Sequence, residues 1–390
     1  MIGPMLVELR KEKKKQLDRN LYDFGKRAAG GAHGLVLTKP HIVDLILDLA
    51  GYKKGPKLSH LRLLEPACGH GVFVLAAVDR LLASTKITRR NYQQIAKAIT
   101  AFDVSVDHVT ISRNAVYNKL LEHSVRDDLA EYLSHTWVQQ GDFLLSSDGQ
   151  GYDFIVGNPP YVRIEQLPQT LQQAYRKRSS TLYDRADLYV AFIERGLRLL
   201  TRKGLLSFIC ADRWILNKYG RNLRKFITEN FKLKYYIDLN HASPFESEVS
   251  AYPSIFVISQ GKTKAVYVGA LSTASESECK SLQNCKRAPH SRQAGVTKRL
   301  YPSWFQGFDP WILNSPEHLS LLRKLEARFP SLEAAGETRV GIGVATGSDK
   351  VYLVDENVDI ERNRLVPIVM REDIVNGVIR NASVSSPKSG

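Results

Sequence analysis

The chain has 390 residues, 43% of them apolar and 24% charged, which is the composition of a globular protein. At about 150 residues per domain, this length allows about two to three domains, each with its own core. No apolar run reaches the ~18–20 residues that a membrane span needs, and the basic N-terminal stretch is not followed by an apolar segment. We therefore expect a cytoplasmic protein without a membrane partner.

The charge of the chain is strongly positive, with 55 Lys and Arg residues against 40 Asp and Glu residues. This excess favours a polyanionic partner, nucleic acid above all, because each neutralised phosphate releases a condensed counterion. A basic balance also occurs in proteins that bind no DNA, so the charge alone leaves both alternatives open. The four cysteines form no CxxC pair and no Cys/His ladder, so the sequence predicts no metal site and a reducing compartment.

The first elements of the chain alternate between helix and strand patterns. Ile42–Leu49 has the apolar spacing of a helix packed on a sheet, and Thr38 is expected to cap it. Leu61–Leu64 is a short apolar strand that leads through the glycine-containing segment Glu65–Gly71 into the helical pattern Val72–Leu82. The sequence therefore predicts a strand, a glycine turn and a helix in succession.

The same alternation continues to about residue 260. The predicted strands are Ile99–Val104, Trp137–Leu145, Phe154–Val156, Gly204–Cys210, Tyr235–Asp238 and Ser254–Ser259, and the predicted helices are Val109–Leu121, Leu188–Leu200 and Leu223–Phe231. Strands that alternate with helices indicate an α/β fold with a doubly wound, mostly parallel sheet. Such sheets bind ligands beyond the carboxyl ends of their strands, so the polar residues at those ends are the candidate site residues.

The segment Asn158-Pro159-Pro160-Tyr161 directly follows one of the predicted strands. Two prolines fix an extended corner without amide hydrogens, so the Asn158 side chain and the Pro159 carbonyl can both face an open pocket. A planar amine that donates both hydrogens to these acceptors is held in place, and its nitrogen lone pair can be drawn away from the ring toward an electrophile. Tyr161 offers a flat face on which a base can stack. An ordinary Pro-Pro turn is the alternative explanation.

The pattern of the sequence changes after Gly261, where a Ser-, Lys- and Gln-rich stretch runs to Arg299. We therefore predict a domain boundary near residue 260, with one domain over residues 1–260 and a smaller one over residues 261–390. The segment Asn381–Gly390 holds Ser, Pro and Lys and is expected to be disordered.

The segment Asn158–Tyr161 resembles the catalytic motif of amino-methyltransferases, which methylate exocyclic nitrogens with S-adenosylmethionine. The segment Glu65–Gly71 resembles the cofactor loop of that family, in which small residues let the backbone approach the methionine part of the ligand. The resemblance implies a Rossmann-like class I methyltransferase fold and S-adenosylmethionine as the cofactor. In the loop, it implies cofactor contacts by Glu65, Ala67, Gly69 and Gly71.

Two further elements resemble parts of the same cofactor site. Asp103 matches the acidic residue that accepts hydrogen bonds from the ribose hydroxyls, as carboxylates do in dinucleotide folds. Asp142 and Phe143 resemble the element whose carboxylate contacts the adenine amine of the cofactor and whose ring lines the adenine slot. Without these motifs, either aspartate is equally well explained as a solvated carboxylate at a strand end.

The order of these elements resembles the γ arrangement, which includes the TaqI-type adenine methyltransferases. Thr38 resembles the cofactor-contacting Thr of a Thr-Pro element that precedes the glycine loop only in that arrangement. Phe245 is the candidate aromatic residue that packs on an extruded base together with Tyr161. Gly341–Val354 resembles the opening of a recognition domain, which is short here and is expected to be partial or to depend on a partner subunit.

The resemblance implies a site-specific DNA adenine N6-methyltransferase, the modification component of a restriction–modification system. Because the target nitrogen lies inside the duplex, the nucleotide must rotate out of the stack. The polar loop after Tyr161 is expected to grip phosphates of double-stranded DNA, although a solvated loop explains its charge as well. The candidate DNA-binding residues of this loop are Arg163, Arg176, Lys177 and Arg178. A cognate restriction endonuclease or a specificity subunit is the expected protein partner.

Other interpretations fit parts of the sequence. Some RNA methyltransferases and the release-factor glutamine methyltransferases carry a similar Asn-Pro-Pro-Tyr element. The glutamine enzymes resemble this chain less, because their extra domain lies at the N-terminus and their glycine loop differs. A DNA-binding specificity subunit with a decayed cofactor fold is the non-enzymatic alternative.

Overall fold

The structure, a computed structural model, describes most residues between 36 and 331 and shorter stretches outside that range. The described residues are 15–17, 19–20, 23, 36–147, 149, 151–247, 249, 252–262, 265–284, 290–293, 296–302, 307–311, 316–331, 333–334, 353–354, 359–369, 374–375, 378–379 and 384–387. No helix within these ranges combines enough length and apolar character to span a membrane.

Within the described residues, a ten-stranded sheet forms the centre of the fold. Its strands are β1 Leu63–Glu65, β2 Ile99–Asp103, β3 Val138–Gln140, β4 Tyr152–Gly157, β5 Leu200–Ala211, β6 Phe231–Asp238, β7 Pro253–Gln260, β8 Ala265–Leu271, β9 His290–Gln293 and β10 Val296–Pro302. They lie in the order β3-β2-β1-β4-β5-β7-β6-β8-β10-β9. The five neighbouring strands β3, β2, β1, β4 and β5 run parallel to one another, and β6 pairs with β8 in parallel. Strands β7 and β10 are antiparallel to their neighbours. The predicted mostly parallel sheet is confirmed.

Helices flank this sheet and connect its strands. They are α1 Pro40–Ala50, α2 Val72–Leu82, α3 Tyr92–Ile95, α4 Val106–Glu122, α5 Asp127–Trp137, α6 Gln169–Arg178, α7 Tyr189–Arg198, α8 Arg221–Asn230 and α9 Glu276–Asn284. The bounds predicted for α2 are those observed, and α1, α4, α7 and α8 lie where helices were predicted. The sequence patterns gave no indication of α5 or α6.

Both faces of the sheet are covered, as the contacts of two consecutive residues of β5 demonstrate. The Oγ of Ser207 donates a hydrogen bond to the carbonyl oxygen of Ile46 in α1, at 3.2 Å. Leu206 packs against Gly196 of α7 so closely that a Cβ at Gly196 would lie 2.7 Å from its Cδ1 atom. Because consecutive side chains of a strand point to opposite faces, α1 and α7 lie on opposite sides of the sheet. The fold is therefore doubly wound.

The chain divides into two compact units, Met1–Leu313 and Asn314–Gly390. The predicted boundary near residue 260 is not where the structure separates. Strand β8 pairs with β6 and strand β10 pairs with β8, and this pairing carries the first unit across that position. A recognition role for the residues after 260 stays a prediction.

The second unit contains the helix α10 Pro316–Arg328 and two small antiparallel sheets. Their strands are β11 Leu365–Ile368, β12 Ile374–Val375, β13 Val378–Ile379 and β14 Val384–Pro387, with β11 paired to β14 and β12 to β13. Part of the tail that was expected to be disordered is thus a strand, because the apolar strand β11 provides a backbone partner for it. In the segment that resembles a recognition domain, residues 341–352 lie outside the described residues.

Candidate active site

A cleft with an empty volume of about 950 Å³ opens at the carboxyl ends of β1, β2, β3 and β4. Residues of the predicted cofactor elements and of the Asn158–Tyr161 segment converge on it. The predicted site residues that line the cleft are Thr38, Glu65, Ala67, Gly69, Asp103, Asp142, Phe143, Asn158, Pro159, Pro160 and Tyr161. Gly71, Phe245 and the four basic candidates are not among the described residues that line it.

The loop between β1 and α2 needs its glycines for conformational and steric reasons. Gly69 and Gly71 have φ angles of 51° and 86°, in the left-handed region that side chains disfavour. A Cβ atom on Gly71 would lie 2.3 Å from the Oγ of Ser112 in α4. The backbone N–H of Cys68 donates to the carbonyl oxygen of Phe102 at 2.8 Å, which ties the loop to β2. The predicted turn is therefore a tightly constrained one beside the cleft.

Glu65, at the end of β1, carries an unpartnered acceptor. The residue is 1% exposed, and burial raises the pKa of its carboxyl group well above the ordinary value. Its Oε2 atom has no hydrogen-bond partner among the described residues, although it lies in the wall of the cleft. A buried acceptor of this kind is costly unless a ligand satisfies it. Glu65 thus fits a role toward a bound group that offers a donor.

Asp103, at the end of β2, is held on several sides. Its Oδ2 atom accepts a hydrogen bond from the N–H of Gly69 at 2.8 Å, and its Oδ1 atom accepts one from the N–H of Ser105 at 2.9 Å. The Nδ1 atom of His108 lies 3.3 Å from the same Oδ1 atom. His108 also lines the cleft, and no motif in the sequence pointed to it. Each carboxylate oxygen has two lone pairs, so Asp103 keeps acceptor capacity for a ligand.

Asp142 follows β3 and organises the next corner of the cleft. Its Oδ1 atom accepts hydrogen bonds from the N–H groups of Leu144 at 2.7 Å and Leu145 at 3.2 Å. Its Oδ2 atom accepts one from the hydroxyl of Tyr175 at 2.6 Å. Burial raises the pKa of Asp142, and these hydrogen bonds oppose that shift. Phe143 lies beside it in the wall, as an aromatic face for a flat ligand.

Asn158, at the end of β4, lies in the wall of the cleft and carries an unpartnered acceptor. Its Nδ2 atom donates to the carbonyl oxygen of Val36 at 3.2 Å and to the Oγ1 of Thr38 at 3.4 Å. Its Oδ1 atom is buried and has no partner among the described residues. The amide is thus anchored through its donor side, and its oxygen is left for a ligand in the cleft.

Thr38 does not cap α1 as predicted. The N-terminal cap residue is Lys39, and Pro40 occupies the first helical position, where its missing N–H costs nothing. Thr38 instead forms a β-bridge with Phe245, and the N–H of Lys39 donates to the carbonyl oxygen of Pro244 at 3.0 Å. This pairing turns the Thr38 hydroxyl toward Asn158 in the wall of the cleft.

The two predicted base-stacking rings are neighbours but do not form parallel walls. The ring centroids of Tyr161 and Phe245 are 6.3 Å apart with an interplanar angle of 82°. Tyr161 lines the cleft, and its buried hydroxyl has no partner among the described residues. Phe245 is 5% exposed and belongs to the hydrophobic core. A base can therefore meet the Tyr161 face here, and stacking on Phe245 stays a prediction that needs its ring to turn.

The basic segment after Tyr161 is not the loop that was predicted, because its residues Gln169–Arg178 form the helix α6. Arg176 donates to the carbonyl oxygens of Leu182 and Asp184, and Arg178 donates to those of Leu145 and Ser146. These two side chains thus tie α6 to adjacent turns. Arg163 forms a β-bridge with Asp187 through its backbone, and Lys177 is exposed. Phosphate binding by all four basic residues stays a prediction.

Part of the chain is similar to a known protein family. Residues 80–245 match the family described as the Eco57I restriction-modification methylase. The chain therefore contains an Eco57I-type restriction-modification methylase domain. S-adenosylmethionine is the expected cofactor, and the unpartnered Glu65 Oε2 and the constrained glycine loop fit such a ligand. Within the described part of the chain, no cluster of His, Cys, Asp and Glu side chains is arranged to hold a metal ion.

Individual relatives extend the similarity beyond that domain. The chain is 41% identical over 364 residues to the type II methyltransferase M.BstVI of Geobacillus stearothermophilus, covering 89% of this chain and 64% of the relative. It is 40% identical to the type II methyltransferase M.PaeR7I of Pseudomonas aeruginosa, covering 90% of this chain and 61% of that protein. The crystal structure of the type I restriction enzyme EcoKI M protein shares the fold, with a TM-score of 0.53, 13% identity, and coverage of 76% and 74% of the two chains. The chain thus spans less than two thirds of the length of M.BstVI and of M.PaeR7I.

Proposed function

We propose that this chain methylates the exocyclic N6 nitrogen of adenine in double-stranded DNA. The observation that carries the proposal is the unpartnered Oδ1 atom of Asn158 in the wall of the cleft. An exocyclic amine complements such an acceptor, because its NH₂ group donates hydrogen bonds. The carbonyl of Pro159, on the same diproline corner, is the proposed second acceptor.

The proposed mechanism depends on positioning. With both hydrogens accepted by Asn158 and Pro159, the amine is held in one orientation and its nitrogen lone pair is directed away from the ring. When bound, S-adenosylmethionine supplies an electrophilic methyl group. The glycine loop with Glu65 and the Asn158 corner belong to one cleft, so cofactor and amine can be brought into reacting distance. Tyr161 supplies the face against which the base rests.

Duplex DNA is the proposed substrate on independent grounds. The excess of basic residues, 55 against 40 acidic, suits a polyanion, and two relatives are named as type II methyltransferases. The target nitrogen must leave the duplex to enter the cleft, so the proposal includes rotation of the nucleotide out of the stack. A cognate restriction endonuclease or a specificity subunit is the proposed partner.

The experiment that tests this function is incubation of the chain with labelled S-adenosylmethionine and either unmethylated duplex DNA, RNA or a release factor. We expect label in the duplex, recovered after digestion as N6-methyladenine. Recovery as N4-methylcytosine would keep the amine chemistry and overturn the adenine assignment. Label in RNA or in the release factor alone would replace the substrate. Tight duplex binding without measurable cofactor binding would instead identify a non-catalytic specificity subunit.

A further inference from the structure

The helix α6, which no sequence pattern predicted, brings one aromatic side chain into the cleft. Tyr175 is 2% exposed and lines the cleft together with Phe143 and Phe192. Its hydroxyl donates to the Oδ2 atom of Asp142 at 2.6 Å, a short hydrogen bond to a buried carboxyl group. Tyr175 therefore contacts the corner that was assigned to the adenine ring of the cofactor.

The hydrogen bonds of Asp142 leave little acceptor capacity. A carboxylate has about four lone-pair positions, two on each oxygen. The N–H groups of Leu144 and Leu145 take both positions on Oδ1, and Tyr175 takes one on Oδ2. One position remains, and it lies on the oxygen that Tyr175 holds. A donor on a ligand must therefore meet Asp142 at Oδ2, beside the Tyr175 hydroxyl.

We propose that Tyr175 is a positioning residue that orients the Oδ2 atom of Asp142 toward the amino group of the cofactor's adenine ring. By this contact, Tyr175 of α6 makes the site prefer a ring with an amine at this position to a ring with a carbonyl oxygen at the same position. A carbonyl oxygen there would face a carboxylate oxygen, and two acceptors repel each other. The inference rests on the proposed contact between Asp142 and that amine.

A second contact fixes the geometry of α6 against this corner. Arg178, three residues after Tyr175, donates to the carbonyl oxygens of Leu145 at 2.6 Å and Ser146 at 3.1 Å. Arg195 of α7 also donates to the Ser146 carbonyl oxygen, at 2.8 Å. The turn that contains Asp142 is thus held from two helices, so the Tyr175 hydroxyl meets a carboxylate whose position is already set. The hydrogen bond from Tyr175 lowers the pKa of Asp142 and so opposes the effect of burial. It thereby favours the charged form of the carboxyl group, which is the better acceptor.

The test compares the binding of two cofactor products, S-adenosylhomocysteine and S-inosylhomocysteine, by calorimetry without DNA. The inosine compound has a carbonyl oxygen where the adenine compound has its amine. We expect the wild-type chain to prefer the adenine compound by about tenfold to a hundredfold, as for a hydrogen bond to a charged group. Tyr175→Phe keeps the ring and removes the hydroxyl, and we expect it to reduce this preference by about tenfold through weaker binding of the adenine compound.

The matched control is Tyr117→Phe. Tyr117 also donates its hydroxyl to a carboxylate, that of Asp127, but this pair lies on the surface outside the cleft. We expect Tyr117→Phe to leave both dissociation constants unchanged. If Tyr175→Phe weakens both compounds equally, or changes neither, the positioning role is overturned.

The dependence of binding on pH provides a second readout. Binding of the adenine compound weakens as the pH falls through the pKa of Asp142, because the protonated carboxyl is a poorer acceptor. Loss of the Tyr175 hydrogen bond raises that pKa, so the acidic limb of the binding curve should move to higher pH in Tyr175→Phe. An unmoved limb contradicts the proposal. These binding measurements contain no DNA, so they do not depend on whether the chain methylates DNA. The positioning role of Tyr175 and the proposed methylation of adenine can therefore fail independently.

Discussion

The side-chain amide of Asn158 is anchored by the carbonyl oxygen of Val36, which accepts a hydrogen bond from its Nδ2 atom at 3.2 Å. A backbone carbonyl can only accept, so the amide cannot flip without losing this bond. The orientation of the amide, with its unpartnered Oδ1 atom buried in the wall of the cleft, is therefore set before any ligand binds. Preorganisation of an acceptor in this way is what positional catalysis requires.

Thr38 shares this anchoring role and gives a first prediction. Thr38→Val keeps the shape of the side chain and removes the Oγ1 atom that lies 3.4 Å from the Asn158 Nδ2 atom. Asn158 keeps its bond to Val36, so we expect methyl transfer to slow by only about threefold to tenfold, as for one weak hydrogen bond. Cofactor affinity should change little. A variant with weakened cofactor binding and an unchanged rate would assign the Thr38 hydroxyl to the cofactor instead.

Two glycines with the same backbone conformation allow a controlled test of the cofactor loop. Gly51 and Gly71 both have φ of 86°, but a Cβ atom on Gly51 meets nothing within 4 Å, whereas one on Gly71 meets the Ser112 Oγ at 2.3 Å. We expect Gly51→Ala to lower the free energy of unfolding by about 1 kcal/mol. Gly71→Ala should cost about 1–3 kcal/mol more, because it also overpacks the site. Urea denaturation measures both, and equal losses would show that the contact with Ser112 is unimportant.

The lowered pKa of Glu194, on α7, gives a prediction about how acid destabilises the protein. Although burial raises its pKa, hydrogen bonds from Ser179, Ser180, Thr181 and Arg198 outweigh burial and lower it from 4.5 to about 2. Because the pKa is lower in the folded state than in the unfolded state, the charged carboxylate stabilises the fold at any pH above the pKa of the unfolded chain. This stability is lost as the pH falls from about 4.5 toward 2. Its size is about 3 kcal/mol.

Glu194→Gln should therefore lower the free energy of unfolding at pH 7 by about 2–3 kcal/mol and flatten its dependence on pH between about 5 and 2. The matched control is Glu229→Gln. Glu229 forms an ion pair with Lys225, four residues away in sequence as Arg198 is from Glu194, but this pair lies on the surface with its atoms 3.7 Å apart. We expect the control to change stability by less than about 0.5 kcal/mol. An unchanged acid limb in Glu194→Gln would reject the role of this carboxylate.

Tyr161 separates the role of a ring face from that of a hydroxyl. The hydroxyl is buried without a partner among the described residues, so Tyr161→Phe should keep methyl transfer within about threefold and should not destabilise the chain. Tyr161→Ala removes the stacking face and should lower transfer by about tenfold to a hundredfold. A fluorescent 2-aminopurine at the target position reports whether the base still leaves the duplex. Equal losses in the two variants would assign the function to the hydroxyl.

Much of the core of the first unit could be predicted from sequence, because its elements carry strong apolar periodicity. Helix α2 was predicted with its observed bounds, and Asn158 was placed correctly at the end of a strand. Helix α6 was missed because, of its ten residues, only Leu171 and Tyr175 are buried, which is too few for a periodic signal. Tyr175 was lost with it.

The remaining errors involve contacts between distant parts of the chain. Thr38 has the residue type of a helix cap, and only the β-bridge to Phe245, far along the chain, gives its hydroxyl another use. The boundary near residue 260 failed for a similar reason, since β8 and β10 are recognised as part of the sheet only through their pairing. Local patterns do not carry such tertiary pairing.

The most direct test of the central claim is methyl transfer by Asn158→Ala, with the affinity for S-adenosylmethionine measured on the same sample. Asn230→Ala is the control, since Asn230 also donates its amide to a backbone carbonyl, that of Phe226, but on the exposed end of α8. We predict that Asn158→Ala binds the cofactor within about threefold of the wild type and transfers methyl groups at least about a hundredfold more slowly. Transfer at the wild-type rate with intact cofactor binding would contradict the account.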